Sequence, residues 1–494
     1  MFLRRIIGCC CGKNYVFRIP AILYFENFVY LYSGTYNRPI CVVSKFVEQF
    51  LMNQKKGITR RSLLKSASSA AILAATGPAL IGESAKAQQK QLRILRWKNF
   101  VPASETWFND VFVKQWGESN GVDVRVTNVG LGDINKLAMD EVQAGKGHDL
   151  VLFVSPRAGL EDYVIDHKEI VDECEAQFGK AHGFARKSCF NPRTGKYHGF
   201  GESFYPSMVT YRKDLWDAVG NAPNTWDDIR KGGRAIKLLH GAPVGISIGS
   251  EHNSEHTLRG LLYSFGSYVQ DTNGRVALDR KNTREALMFA KALYEEAMDK
   301  EVLSWGPSSN NQFMLAGNGN LTIDTMSIIR AAENKQLPVN EGLSLASIPE
   351  GPQGRVGPIF GLNTYVIWKF AKNKDAAKRF LIDYIGRFQE SFQAGGFQNM
   401  PVYPQSVRNF EKLIKEDSAK IGRYHPLVDV FDTLTNVGYP GYSNAAIDEI
   451  TGLGIIPKMF ANVVTGRSTA EQATRDAVRE IKPIFEKWRS AGKI

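Results

Sequence analysis

Leu92-Arg93-Ile94-Leu95-Arg96-Trp97 opens a stretch that runs to Asp149-Leu150-Val151-Leu152-Phe153-Val154, and the pattern between these two runs decides the fold. The first run is a short strand candidate. Ser104–Glu118 follows with Trp107, Phe108, Val111, Phe112 and Gln115 at helical spacing, which predicts a helix. Val122-Asp123-Val124-Arg125-Val126 alternates with period two, as a strand with one buried face should. Ile134–Ala144 is again helical, and 149–154 is the continuous apolar run of a strand covered on both faces. Strand, helix, strand, helix, strand predicts an α/β fold: a parallel sheet with helices on both sides. Ligands of such sheets sit beyond the carboxyl ends of the strands. That gathers Trp97–Phe100, Gly130–Asp133 and Ser155-Pro156-Arg157 around one potential site.

Toward the C-terminus a second block begins at Thr225-Trp226-Asp227-Asp228. Thr225 can cap a helix while Asp228 reaches back to it, and Pro223 blocks extension upstream. Val244–Ile248 reads as a strand, followed by helices over roughly 255–268 and 283–300. Leu321–Asp324 and Leu343–Ile348 read as further strands. After the turn cluster Pro349-Glu350-Gly351-Pro352 an apolar run reaches Trp368, and helices follow over 375–386 and 470–488.

Toward the N-terminus the composition changes. The chain has 494 residues and a net charge of +12, but residues 1–87 hold 12 Lys and Arg against 3 Asp and Glu, leaving 50 against 47 in the rest. The body is close to neutral, so a general phosphate-binding surface is not supported and no nucleic-acid partner is expected. Residues 52–87 have the zones of an export signal: a basic stretch from Met52 to Lys65, a mildly apolar run of small residues from Ala67 to about Ile81, and Ala85-Lys86-Ala87 as a small-x-small cleavage site. Arg60-Arg61-Ser62-Leu63-Leu64-Lys65 resembles the twin-arginine motif, which predicts a periplasmic protein. Some 15 small residues are too few and too weakly apolar to span a bilayer about 30 Å thick. Met52 is then the natural start, and 1–51 is expected to be an upstream extension without regular structure. Past Gln88 two cysteines remain, Cys174 and Cys189. In an oxidising compartment they either pair, for about 3 kcal/mol in the chain-entropy model, or stand as two free thiols.

Catalytic and metal signatures are weak. Gly245-Ile246-Ser247-Ile248-Gly249 matches the nucleophile-elbow pattern, yet beyond His256 the only downstream histidine is His425. An exported hydrolase using Ser247 is therefore the minor alternative to a glycine turn after a strand. His252 and His256 are spaced i, i+4 without the glutamate that a His-Glu-x-x-His site needs. No phosphate-binding glycine fingerprint occurs, and no cofactor is expected. What remains at strand ends is aromatic and polar: Trp97, Phe100, Phe204, Tyr205, Tyr263, Trp305, Phe360, Phe397 and Tyr442, beside Glu202, Asp324 and Asn363. Aromatic faces take up the C–H faces of a polyhydroxylated ligand, and amides and carboxylates bond its hydroxyls.

Three segments carry a resemblance. Gly195-Lys196-Tyr197-His198-Gly199-Phe200-Gly201, then Met208-Val209-Thr210-Tyr211-Arg212-Lys213-Asp214-Leu215, then Pro223-Asn224-Thr225-Trp226-Asp227-Asp228 resemble the central signature of family 1 extracellular solute-binding proteins. Asn311–Gly319, Ile348–Gly354, Asn373–Phe380 and Thr465–Ala473 continue it in the same order, so that it covers essentially 90–490.

The resemblance implies two α/β lobes of the type II periplasmic-binding-protein kind with a ligand cleft between them. Lobe one would be 90–203 plus 358–402, and lobe two 206–356 plus 404–494, with crossings near 203–205, 357–361 and 401–403. By matching position the cleft would be lined by Trp97, Phe100, Ser155, Glu202, Tyr205, Asp324, Met326, Gly361, Asn363 and Tyr442. The expected protein is a monomer without enzymatic activity that captures a sugar, oligosaccharide or polyol and delivers it to the permease subunits of an ABC importer. A polyamine on the same scaffold stays open, since a cation would need uncompensated cleft carboxylates.

Overall fold

The computed structural model describes residues 90–99, 101–417 and 422–494, together with the backbone of three short N-terminal strands. Two compact units divide the chain, Met1–Ala85 and Lys86–Ile494. In the first, β1 (Ile22–Phe25), β2 (Phe28–Tyr32) and β3 (Pro39–Ser44) form an antiparallel sheet in that order. This corrects the expectation of no regular structure in 1–51: runs such as Ile-Leu-Tyr-Phe and Pro-Ile-Cys-Val-Val are rich in residues that suit a pleated surface. The export signal expected over 52–87 lies outside the described residues.

The second unit bears out the strand–helix alternation. β4 (Lys90–Trp97), β5 (Val122–Val129) and β6 (Leu150–Phe153) pair in parallel, with β4 central. Between them the helical residues 102–120 include a wide turn over Trp107–Phe112, and the helix Ile134–Ala144 has the expected bounds. A small hairpin, β7 (Phe190–Asn191) and β8 (Lys196–Tyr197), precedes β9 (Phe200–Tyr205).

At Pro206-Ser207 the chain leaves this sheet. It enters another, in which β10 (Met208–Arg212) lies between β11 (Leu321–Asp324) and β12 (Leu343–Ser347), all antiparallel. It returns through β13 (Gly357–Pro358) to β14 (Gly361–Ile367) and later β15 (Met400–Pro401). β13 is paired in parallel with β16 (Leu434–Thr435).

The large sheet has the order β15-β9-β14-β6-β4-β5. It is mixed rather than parallel, because β14 arrives from the other sheet instead of by a helical crossover and runs antiparallel to both β6 and β9. The expected strand 244–248 is likewise corrected. Val244 makes isolated bridges to Met298 and Leu321, and the chain then passes as a loop. It runs so close to Trp305 that a Cβ at Gly249 would stand 2.6 Å from the Trp305 carbonyl oxygen.

Two apolar cores result. One, around Trp97, Phe108, Phe112, Leu152, Phe380 and Tyr384, covers the large sheet; the other, around Trp216, Trp226, Leu262, Ile456, Phe460 and Phe485, covers the small one. The capping box at Thr225 forms as read: Asp228 N–H donates to Thr225 Oγ1 (3.0 Å), and Thr225 N–H donates to Asp228 Oδ2 (3.0 Å). Cys174 and Cys189 are free, which corrects the paired alternative. Cys174 is packed in the core of the large sheet, and the Cys189 sulfur faces the Thr364 hydroxyl at 3.9 Å. Among the described residues no helix is long and apolar enough to cross a membrane.

Candidate functional site

Where β4 and β9 end and β14 begins, three of the expected residues form one polar knot. The indole N–H of Trp97 donates to Asn363 Oδ1 (3.2 Å), while Asn363 Nδ2 donates to Tyr205 Oη (2.7 Å) and Ser203 Oγ (3.0 Å). Both Asn363 oxygen and nitrogen are thereby used inside the protein. The Tyr205 ring lies edge-on to Trp97, with centroids 6.1 Å apart. A small cavity of about 30 Å³ adjoins the knot and is lined by Trp97, Tyr205, His252, Asp324, Phe360 and Gln398 among others. Asp324 accepts from the side-chain amides of Asn253 (3.3 Å) and Asn310, and burial raises its carboxyl to about 6.

A larger cavity of about 430 Å³ shares Val154 and His252 with the small one. One wall comes from the ends of β6 and β14: Phe153, Ser155, Pro156, Arg157, Gly361 and Leu362. The opposite wall comes from the start of the helix His252–Ser264 (Glu251, His252, Glu255, His256) and from the helix Ala445–Gly452 (Asp448, Thr451, Gly452). Glu251 caps the first helix, accepting from the backbone N–H of Asn253 and of Ser254 (both 2.7 Å). The neighbouring Ser247 hydroxyl is bonded to that of Ser254 at 2.8 Å, in the same buried turn.

Electrostatics follow from burial. His252 Nε2 donates to the Phe360 carbonyl (2.8 Å), and His256 Nδ1 donates to the His252 carbonyl (2.8 Å). Desolvation lowers both histidines, so each is neutral and keeps its second ring nitrogen as an acceptor. Glu255 Oε2 accepts from Arg259 Nε (3.1 Å), while burial raises the carboxyl to about 7 and Oε1 has no protein partner. Asp448 accepts from Arg157 Nε and from the Gly159 N–H, both at 2.9 Å. Among the described residues no group of three or more His, Cys, Asp or Glu could hold a metal ion.

The residues expected from the sequence are thus divided. Trp97, Tyr205 and Asp324 line the small cavity, and Ser155 and Gly361 the large one. A Cβ at position 361 would stand 2.9 Å from the Val154 carbonyl oxygen, so glycine is required for β14 to pass that strand end. Asn363 supports the site from behind through Trp97 and Tyr205.

Three more expected residues, besides Asn363, line neither cavity. Glu202 is buried beside Arg96, with burial raising its carboxyl to about 7. Met326 is fully buried at the start of the helix Ser327–Asn334. Tyr442 uses its carbonyl to accept from Gln270 Nε2 (2.8 Å) and lays its ring edge toward Phe190. Glu202 lies in a strand buried along its whole length, Met326 packs into the core just before a helix, and Tyr442 sits in a loop against Phe190, none of which position along the chain alone told. Phe100 lies outside the described residues. Glu251, Glu255 and Asp448 were not anticipated; the signal available was that acids opening two helices can point at one cleft.

Residues 102–383 match the family described as bacterial extracellular solute-binding protein. A binding protein of Brucella abortus (strain 2308) is 22% identical over 297 residues, covering 59% of this chain and 69% of its own. The solute-binding protein of an ABC transporter from Thermotoga lettingae TMO, solved with alpha-D-tagatose, superposes with a TM-score of 0.67 at 19% identity, over 80% of this chain and 100% of the other. The maltose-bound MalE3 of T. maritima gives 0.67 at 19% identity, over 79% of this chain and 99% of its own. The chain belongs to the bacterial extracellular solute-binding protein family, a non-enzymatic class of protein.

Proposed function

We propose that this protein captures a neutral polyhydroxylated solute, a sugar, oligosaccharide or polyol, in the larger cavity and hands it to the permease of an ABC importer. The observation that carries the choice of solute is the state of the acids. Glu255 is paired with Arg259 and Asp448 with Arg157, while Glu251 is held by helix N–H groups, so two of the three wall acids already have a cationic partner and the wall is a poor counter-charge for a polyamine. What faces the cavity is instead a set of neutral acceptors and hydroxyls: the two histidines, Ser155, Ser188, Ser250 and Thr451, against Phe153. Its volume of about 430 Å³ falls within the usual range for small-ligand sites, about 300–1,000 Å³. Tagatose and maltose in the two solved relatives point the same way.

In this reading 90–203 with 358–402 forms one lobe and 206–356 with 404–494 the other, hinged near 203–205, 357–361 and 401–403. Solute bonds to both walls stabilise the shut form, which docks on the permease. The protein acts as a monomer in the periplasm, reached by the twin-arginine route through the leader of 52–87. Thermal-shift screening against sugars, polyols and polyamines tests this. A sugar or polyol raises the melting temperature in proportion to the logarithm of its concentration once saturating; stabilisation by polyamines alone overturns the neutral-solute reading.

A further inference from the structure

We propose that Arg157 and Asp448 form a clasp that shuts the cavity before any solute arrives. The two residues stand on opposite walls, Arg157 after β6 and Asp448 in the first turn of the helix Ala445–Gly452. Asp448 uses both carboxylate oxygens across the gap: Oδ1 accepts from Arg157 Nε and Oδ2 from the Gly159 N–H, each at 2.9 Å. Arg157 is aimed from its own side, since its Nη1 donates to Asn135 Oδ1 at 2.6 Å. Its side chain is 26% exposed and that of Asp448 13%, so the pair is half-buried at the cavity mouth and still within reach of solvent and salt.

The far end of the same turn, Ala158–Tyr163, is tied a second time to the C-terminal region. Lys493 Nζ lies 3.3 Å from Glu161 Oε1 and 2.6 Å from Asp162 Oδ1, and the Lys493 carbonyl accepts from Asn191 Nδ2 at 3.1 Å. None of these bonds uses a solute. Opening the walls would break the Arg157–Asp448 pair and return both charges to water, so the empty protein already favours the shut form. The clasp thereby sets how much of the solute's binding free energy is left to appear as affinity.

This inference rests on the two-lobed reading above. It is tested on the full chain without solute, by pulsed electron resonance between genetically encoded spin labels at Lys136 and Leu453. These exposed positions adjoin Asn135 on one wall and Gly452 on the other. At an ionic strength of about 0.01 M a short-distance population dominates; raising it to about 1 M, where the screening length falls to about 3 Å, depletes that population. Arg157→Ala and Asp448→Asn each reduce the short-distance fraction about fivefold, and the exchange Arg157→Asp with Asp448→Arg restores most of it.

Wild-type and variant distributions that superimpose, or a wild type that shows the long distance alone, overturn the clasp. Should a variant fail to fold by circular dichroism, the ionic-strength series on the wild type decides. Because no solute is present, a clasped protein that binds no sugar or polyol sinks the functional reading and leaves the clasp standing, and the converse also holds.

Discussion

Trp97 and Asn363, 266 positions apart in the chain, meet through one hydrogen bond: the indole N–H donates to the amide oxygen at 3.2 Å. The bond joins the end of β4 to the first half of β14, and through Asn363 Nδ2 it reaches Tyr205 on β9. Three strands from distant parts of the sequence are thereby locked at the point where the small cavity begins. Asn363 is 2% exposed, so its partners have no water to turn to.

Replacing Asn363 with Leu leaves the Trp97 indole N–H without that acceptor and the Tyr205 and Ser203 hydroxyls without that donor. A buried polar group left unmade costs about 1–3 kcal/mol, so the variant should lose about 2–4 kcal/mol in urea unfolding. An unchanged midpoint would show that the knot is dispensable.

The Glu202 carboxyl gives a pH-dependent outcome. Burial holds it at about 7, against an ordinary value of 4.5, and outweighs the nearby Arg96 charge. The native protein therefore binds more protons than the unfolded chain between these values. The stabilising contribution is complete below the ordinary value and is lost as pH rises through about 7. Glu202→Gln stays neutral throughout, so its stability relative to wild type should rise by about 2.5 kcal/mol from about pH 5 to about pH 8. His167 and His198, which burial lowers to about 4, act in the opposite sense and are common to both proteins, so the difference isolates Glu202. A flat difference across that range would contradict the assignment.

Cys174 and Cys189 should behave as inert thiols. Burial raises both, Cys189 to about 12, so little thiolate forms at neutral pH. Iodoacetamide should leave both unmodified in the native protein and alkylate both in denaturant without reductant, as read by peptide mass mapping. A bridge would protect both in denaturant.

At the Gly-x-Ser-x-Gly segment the two kinds of residue should separate. Gly249→Ala forces a Cβ to within 2.6 Å of the Trp305 carbonyl oxygen, a backbone atom that cannot swing away, and should cost about 1–3 kcal/mol. Ser247→Ala removes one hydroxyl bond to Ser254 and should cost less than about 1.5 kcal/mol, with solute binding retained. Equal effects at the two positions would remove the close-approach argument for Gly249.

Local pattern carried far into the fold. The alternation at 122–126, the apolar run at 149–154 and the capping box at Thr225 depend on neighbours within a few residues, and each appears where the sequence put it. The strand reading of Val244–Ile248 failed because its backbone N–H groups go to three separate places, Val244 to Ala297, Gly245 to Leu321 and Ile248 to Val302, rather than to one continuous partner strand. Glu202, Met326 and Tyr442 lie outside both cavities for reasons of their own: Glu202 is buried beside Arg96, Met326 packs into the core before a helix, and Tyr442 sits in a loop.

The amino-acid pattern by itself determined the α/β alternation, the bounds of several elements and the family, since periodicity and caps are short-range physics. Tertiary structure alone decided that β14 runs against its neighbours, that Asn363 spends both its polar atoms on Trp97, Tyr205 and Ser203, and that Arg157 finds Asp448. Those relationships join residues hundreds of positions apart, and only the packed chain fixes which long-range partners satisfy a buried donor or charge.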